Sequence, residues 1–527
     1  MSDLVHDLVF TAARRAPAHE ALVHGERRLD YAQLAQAVRD AAALLLEAGI
    51  GPRERVAVYL EKRIENVAAL FGAAAAGAVF VPVNPLLKPV QVAHILADCG
   101  ARILVTSAER LNQLGESLAG CPQLHTVLVV GAQGDASEGA RRLLSWERPA
   151  ASPTAPLAGH AAIDADMAAI LYTSGSTGKP KGVVLSHRNI VAGARSVASY
   201  LDNRADDRIL ALLPLSFDYG LSQLTTAFHA GATVVLINHL LARDVVRAVQ
   251  AERITGLAAV APLWIQLSGL AWPADCSLRY LTNSGGAMPG PTVATLRAIL
   301  PRAELFLMYG LTEAFRSTYL PPSELARRPD SIGRAIPNAE VLVVRPDGSV
   351  CADDEPGELV HRGALVALGY WNDPDKTAER FRPAPGQDPA LPLPEIAVWS
   401  GDTVRRDAGG YLYFIGRSDD MMKVSGYRVS PSEVEEALHQ SGLVLEAVAF
   451  GLPHPELGQA VAVLAVAATP MLDADTLRRE CQRRLPSWMV PAWVELVPGP
   501  LPRNPNGKFD RPALRAAFGA LPESKQP

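Results

Sequence analysis

Lysine is scarce in this chain. Of its 527 residues, 50 are lysine or arginine, but only eight of these are lysine and 42 are arginine. Cysteine is scarcer: Cys99, Cys121, Cys276, Cys351 and Cys481 are scattered with no short spacing. That excludes a zinc knuckle or a disulfide framework and predicts free thiols in a reducing compartment. Excess positive charge is missing too. The formal net charge is -5, so the electrostatic footprint of a nucleic-acid or anionic-membrane binder is absent. The N-terminus, MSDLVHDLVFTAARRAP, has no basic start followed by an apolar stretch, so no signal peptide is expected. The longest uncharged run, residues 66–87, is broken by Gly77, Pro82 and Pro85. It reads as a buried helix followed by a buried strand, not a membrane span. The expectation is a cytoplasmic protein with no integral membrane segment.

What is present is ordinary globular material, 49% apolar and 20% charged. At about 100–200 residues per domain, the length predicts two to four domains. Residues 31–49 have helical periodicity and end at a glycine. Strands are predicted at 55–60, 79–83 and 102–106, with helices at 67–76 and near 90–99. Such alternation, repeated through 209–310, predicts an α/β domain with largely parallel sheets flanked by helices. Residues 146–165 and the proline-rich 382–394 read as connections. After Leu412 the pattern changes to short strands and amphipathic helices at 431–439, 447–451, 460–467 and 474–484. This predicts a small α+β unit at the C-terminus. Tyr411 and Phe414 read as core strand residues.

The strongest chemical signal is residues 171–182, LYTSGSTGKPKG. Thr173, Ser174, Ser176 and Thr177 stand among Gly175, Gly178 and Gly182, followed by Lys179 and Lys181. Small residues let backbone N–H groups approach phosphate oxygens, hydroxyls add donors, and lysine adds charge. A Walker A loop is excluded, because Pro180 follows Lys179 and Thr173 stands where that motif requires its first glycine.

This loop resembles the phosphate loop of the adenylate-forming superfamily, which includes acyl-CoA synthetases, stand-alone adenylation enzymes and luciferases. Further stretches resemble that family's motifs in order across nearly the whole chain. Residues 284–289 (SGGAMP), with Gly285, Gly286 and Ala287, resemble its adenine-binding loop. Residues 309–313 (YGLTE), with Gly310 among the cofactor-binding candidates, resemble the segment where the aromatic, here Tyr309, packs on adenine, Thr312 touches the α-phosphate and Glu313 holds Mg²⁺. Residues 400–402 (SGD) resemble the motif whose aspartate, here Asp402, binds the ribose hydroxyls. Residues 416–433 resemble the inter-domain hinge and following loop: Arg417 contacts ribose or phosphate, Asp419 is the hinge, Gly426 lines the pantetheine tunnel and Arg428 contacts phosphate during thiolation. Residues 504–508 (NPNGK) resemble the C-terminal catalytic motif ending at Lys508.

The resemblance implies a large N-terminal adenylation domain, residues 1–416, that includes a distorted β-barrel subdomain. It also implies a mobile C-terminal domain, residues 417–527. ATP, Mg²⁺ and CoA are the implied cofactors, and Lys508, Glu313 and Thr173 the implied catalytic residues. The chemistry is coherent. A carboxylate is a poor electrophile, and attack on the α-phosphorus of ATP gives it AMP as a leaving group. The transition state then needs fixed cations and donors more than an acid or base.

The acyl pocket is predicted near Phe217, Asp218, Tyr219, residues 262–264 and residues 314–316. Asp218 could receive a substrate ammonium group, as in amino-acid-activating relatives, cap a helix, or support the pocket from behind without touching substrate. Trp264 could be pocket wall or core. Arg316 could pair with a second carboxylate or polar head of the substrate, or form a surface or structural ion pair. The segment SGYRVSPSEVE is closer to acyl-CoA synthetases than to carrier-loading enzymes. The implied activity is an AMP-forming acyl-CoA ligase, with a stand-alone enzyme loading a carrier protein as the alternative. More narrowly, the chain looks like the acyl-CoA ligases associated with the exosortase A system. Residues 502–508 also fit a pattern around which acetyltransferases modify the catalytic lysine, so acetylation of Lys508 would remove its charge.

Overall fold

The computed structural model describes residues 3–132, 134–138, 141–148, 162–173, 180–417, 421–502 and 509–519. Three sheets organise them. The largest has a parallel centre in the order Glu20–His24, Thr233–Leu236, Arg208–Ala211, Gly256–Ala259, Tyr280–Asn283 and Glu304–Tyr309. The second, nine-stranded, has at its centre Lys181–Ser186, Met167–Thr173, Val79–Pro82, Arg55–Tyr59, Ile103–Ser107 and Thr126–Val130, parallel from Met167–Thr173 onward and with antiparallel pairs at both ends of the sheet. The predicted strand and helix alternation is present.

Helices fill the space between these two sheets. Ile64–Ala75 is buried along its whole length, as an alanine-rich helix with no polar face must be. Tyr31–Glu47 packs against it, and its start is set by Asp30, which accepts from Gln33 N at 2.7 Å while Gln33 returns a bond to Asp30 N at 3.0 Å. The uncharged run at 66–87 is therefore a buried helix and strand, as read. Among the described residues no helix is long and apolar enough to cross a membrane.

The expected β-barrel is not formed. The antiparallel strands Ser331–Ala335, Ala339–Val344, Gly357–Gly363, Ile396–Arg406 and Leu412–Arg417 extend the edge of the large sheet, and the sheets remain open. Phe414 also departs from expectation. Tyr411 and Leu412 are buried, but Phe414 is 45% exposed because the strand runs off the core beyond Leu412.

A third, five-stranded sheet is built from Met422–Val424, Tyr427–Val429, Val444–His454, Gly458–Ala467 and Trp493–Leu496. Helices Pro431–Gln440 and Ala474–Arg484 cover it, and Val434, Leu438, Val463, Leu477 and Cys481 form its own core. All five cysteines are free.

One close approach positions the site. The turn after Arg208–Ala211 folds back on the helix Asp218–Ala230, and a Cβ on Gly220 would stand 1.9 Å from the Pro214 carbonyl oxygen. Gly220→Ala is expected to cost more than the ~1–3 kcal/mol of ordinary overpacking, whereas Gly290→Ala, in open space at a helix start, is expected to be neutral. Thermal unfolding of the two variants checks this.

Candidate active site

Loops leaving the C-terminal ends of the parallel strands converge on one cavity of about 860 Å³. Leu212–Phe217, Val260, Ser284–Gly285 and Gly310–Thr312 line it. This is where open α/β sheets bind ligands, because chain direction places successive loops at the same edge. Thr173 and Lys181, at the open end of a hairpin in the second sheet, reach the same region. Residues 423–428 of the third sheet cover it.

Its electrostatic centre is Glu313, 3% exposed. Tyr370 donates to Glu313 Oε1 at 2.6 Å, Lys181 Nζ lies 3.5 Å from the same oxygen and Arg428 Nη1 lies 3.6 Å from it. Oε2 is buried with no hydrogen-bond partner. Burial pushes this carboxyl up, but Lys181, Arg428 and the Tyr370 hydroxyl outweigh it and hold it at about 2. Lys181 is drawn the other way. Burial brings its ammonium down to about 8 although Glu313 opposes the shift. The Lys181 Nζ also sits 3.8 Å from the centre of the Tyr370 ring. Sequence reasoning missed Tyr370, and no signal in the chain marks it; its partner is set by the pairing of Gly369–Tyr370 with Lys181–Ser186.

Asp402 is buried and accepts from the Tyr309 hydroxyl, while Ser400 Oγ accepts from its backbone N–H at 3.0 Å. Both Asp402 and Thr312 line the cavity, and Thr312 Oγ1 donates to Asp218 Oδ1 at 3.4 Å. Gly285 faces Gly426 across the gap between the large and small units. Gly286 and Ala287 lie exposed on the rim. Lys423 Nζ stands 5.8 Å from the Tyr309 ring centre. Tyr427 stacks on Trp488 at 3.8 Å and meets Phe217 edge-on at 4.9 Å. These aromatic contacts, unmarked in the sequence, hold the small unit over the cavity.

Phe217, Asp218 and Tyr219 all line the cavity. Asp218 opens the helix Asp218–Ala230; burial pushes its carboxyl up, with Arg316 pulling it back. Trp264 is not pocket wall. It is fully buried, its indole N–H donates to Thr282 O at 3.0 Å, and it packs in the core beneath the cavity. Arg316 is not a surface residue, being 1% exposed against the cavity. Lys62, for which the sequence gives no role, also lines the cavity and donates to Leu212 O at 3.1 Å.

Several candidates lie outside the described residues: Ser174, Gly175, Ser176, Thr177, Gly178 and Lys179 of the loop, Asp419, and Lys508. The Arg417 backbone pairs with Asp402, but its side chain is outside the description. Among the described residues no group of three or more His, Cys, Asp or Glu forms a metal cluster.

A family model described as AMP-binding enzyme matches residues 9–371, and one described as AMP-binding enzyme C-terminal domain matches residues 433–508. The chain is 32% identical over 523 residues to an L-proline–[L-prolyl-carrier protein] ligase of Pseudomonas fluorescens, covering 97% of this chain and 98% of that protein. It is 30% identical over 516 residues to a linear gramicidin synthase of Brevibacillus parabrevis, covering 97% of this chain but 10% of that protein. The chain thus spans about a tenth of the length of that relative. Among solved structures, the amide bond synthetase McbA from Marinactinospora thermotolerans superposes with a TM-score of 0.85 at 26% identity, covering 98% of this chain and 99% of that one.

The Glu313 cluster has an acid signature. A carboxyl held near 2, against its ordinary 4.5, contributes stability that is fully present above about pH 4.5 and is lost as pH falls toward about 2. Denaturant unfolding across that window is expected to show a steeper loss for the wild type than for Glu313→Gln. Parallel curves would contradict the assignment.

Proposed function

The chain belongs to the AMP-binding enzyme family, and on that premise we propose that it is an AMP-forming acyl-CoA ligase. Adenylate-forming ligase chemistry comes with the family; the thiol acceptor and the residue roles below are the proposal. What supports it is the meeting, in one cavity, of Asp402 and Thr312 with Gly426 and Arg428 of the small unit, with Glu313 paired to Arg428 and Lys181 beneath its wall.

In the first half-reaction a carboxylate oxygen of the acid attacks the α-phosphorus of ATP. The bond from that phosphorus to the bridging oxygen breaks, and pyrophosphate leaves with the electron pair. Asp402 accepts from the ribose hydroxyls, as an acceptor-only group can. The Tyr309 ring packs on adenine. Thr312, Lys181 and the 173–179 loop hold phosphate oxygens, and Lys508 bridges carboxylate and α-phosphate. The free, buried Glu313 Oε2 fits Mg²⁺, which takes one or two carboxylates together with substrate phosphates; bound there, the ion would neutralise triphosphate charge. In the second half-reaction a thiol attacks the acyl carbonyl, the carbon–oxygen bond to AMP breaks, and the thiol proton is released.

Gly426 supplies the thiol path. Its φ is +83°, and a Cβ there would stand 2.7 Å from Val260 Cγ1. With Arg428 at Glu313, this arrangement fits the thiolation step. The domains divide at 416/417, with Asp419 as hinge. Within this reading the chain sits in the cytoplasm among exosortase-associated acyl-CoA ligases, and acetylation of Lys508 would switch off adenylation. Similarity to a prolyl-carrier protein ligase favours a second reading, in which the thiol belongs to a carrier protein.

Three experiments test this. Pyrophosphate exchange with a panel of acids, followed by addition of CoA or a phosphopantetheinyl carrier, is expected to yield a CoA thioester; exchange with no thioester on CoA would defeat the leading reading. Lys508→Ala should abolish exchange while sparing thioester formation from preformed acyl-adenylate, and Gly426→Ala should do the reverse. A pH profile isolates Lys181. With its ammonium at about 8, kcat/KM for ATP should fall about tenfold per pH unit above that point. In Lys181→Arg, which stays charged, that limb should disappear.

A further inference from the structure

Arg316 has no part in the chemistry above, yet it is among the largest fully buried side chains of the protein. Its Nη1 donates to Ser284 Oγ at 2.8 Å, and its guanidinium lies 4.8 Å from the centre of the Tyr219 ring. Its Nε is buried with no hydrogen-bond partner. Among the described residues no carboxylate forms an ion pair with it. Other part-buried arginines are paired: Arg428 with Glu313, Arg279 with Asp207 at 2.6 Å, and Arg208 with Glu252 at 2.7 Å.

Arginine cannot shed its proton to escape burial. A buried guanidinium without a bonded counter-charge is therefore costly unless a ligand supplies one. The groups around it do not. Asp218 acts on it through space without bridging to it, and burial pushes that carboxyl up. Tyr219 and Tyr200 are pushed up by burial and stay neutral, and Tyr219 is engaged with Thr282 Oγ1 at 2.6 Å. Beside the guanidinium lies a space of only about 30 Å³, walled mostly by apolar groups such as Val197, Leu201, Ile209 and Met308, with Tyr219 and Thr282 also on its wall. That is room for a water, not an alkyl tail. Arg316 thus offers the cavity a planar donor fork beside Ser284 Oγ, a shape that matches a carboxylate.

We propose that Arg316 receives a second carboxylate of the substrate, so that the acid activated is a small dicarboxylic acid. One carboxylate stands at Thr312 for activation and the other is held by Arg316 and Ser284. This rests on the adenylation reading for which carboxylate reacts, but not for the binding itself.

Calorimetric titration of the full chain without ATP tests it, using succinate, glutarate and adipate against butyrate, valerate and hexanoate. At least one dicarboxylate should bind about tenfold or more tighter than its matched monocarboxylate, as a charge-assisted pair allows. Arg316→Met should erase that preference and Arg316→Lys should keep part of it. Equal affinities, binding of neither class, or a preference that survives Arg316→Met would overturn the proposal. Should Arg316→Met fail to fold, Ser284→Ala decides: it should weaken dicarboxylate binding selectively, and unchanged binding counts against the proposal. A dicarboxylate that binds but supports no pyrophosphate exchange would defeat the adenylation reading and leave the Arg316 assignment standing.

Discussion

One buried carboxylate holds the three sheets in register around the cavity. Glu313 follows the last parallel strand of the large sheet, Lys181 and Tyr370 come from the second sheet, and Arg428 comes from the third. A carboxylate this deep is costly to desolvate, and only close, well-placed partners offset the cost. The partners come from elements distant in sequence, so in this arrangement all three sheets contribute to satisfying the charge. A buried ionic cluster of this kind specifies an arrangement more than it adds stability.

The remaining construction follows from chain direction. Parallel strands deliver their following loops to one edge. The turn before Asp218, the loop at Ser284 and the loop at Thr312 therefore arrive together, although about a hundred residues separate the first from the last. The small unit closes the cavity through Tyr427, stacked between the flat face of Trp488 and the edge of Phe217. This contact is aromatic, and it is joined by the Gln91–Glu433 hydrogen bond and the Arg428–Glu313 ion pair.

Charge balance links site and chemistry. Lys181 and Arg428 both neutralise Glu313 in the present arrangement. Incoming phosphates would compete for the same two cations, while Glu313 Oε2 remains open to a cation of its own. The cavity can therefore exchange one set of charge partners for another without leaving a buried charge bare. Arg316 has no ion pair among the described residues, although Asp218 acts on it through space, and it is this that the proposed substrate carboxylate would supply.

The sequence by itself determined the elements and the class of chemistry. Helix and strand periodicities read correctly through residues 31–106, because apolar spacing is a local property. The ordered motifs, through their resemblance to the family, marked Glu313, Asp402 and Lys181, because motifs are stretches of neighbouring residues. The scarcity of lysine sharpened that reading: half of the eight lysines fall within motifs. Only the tertiary structure decided the rest. It made an open sheet of the expected barrel, sent Trp264 to the core and Phe414 to the surface, and buried Arg316 beside Tyr219. It also supplied Tyr370, Tyr427 and Trp488, which no motif marks. These outcomes depend on which distant strands pair and which faces meet. Local composition carries no record of that, since a side chain's burial is set by the neighbour the fold brings to it.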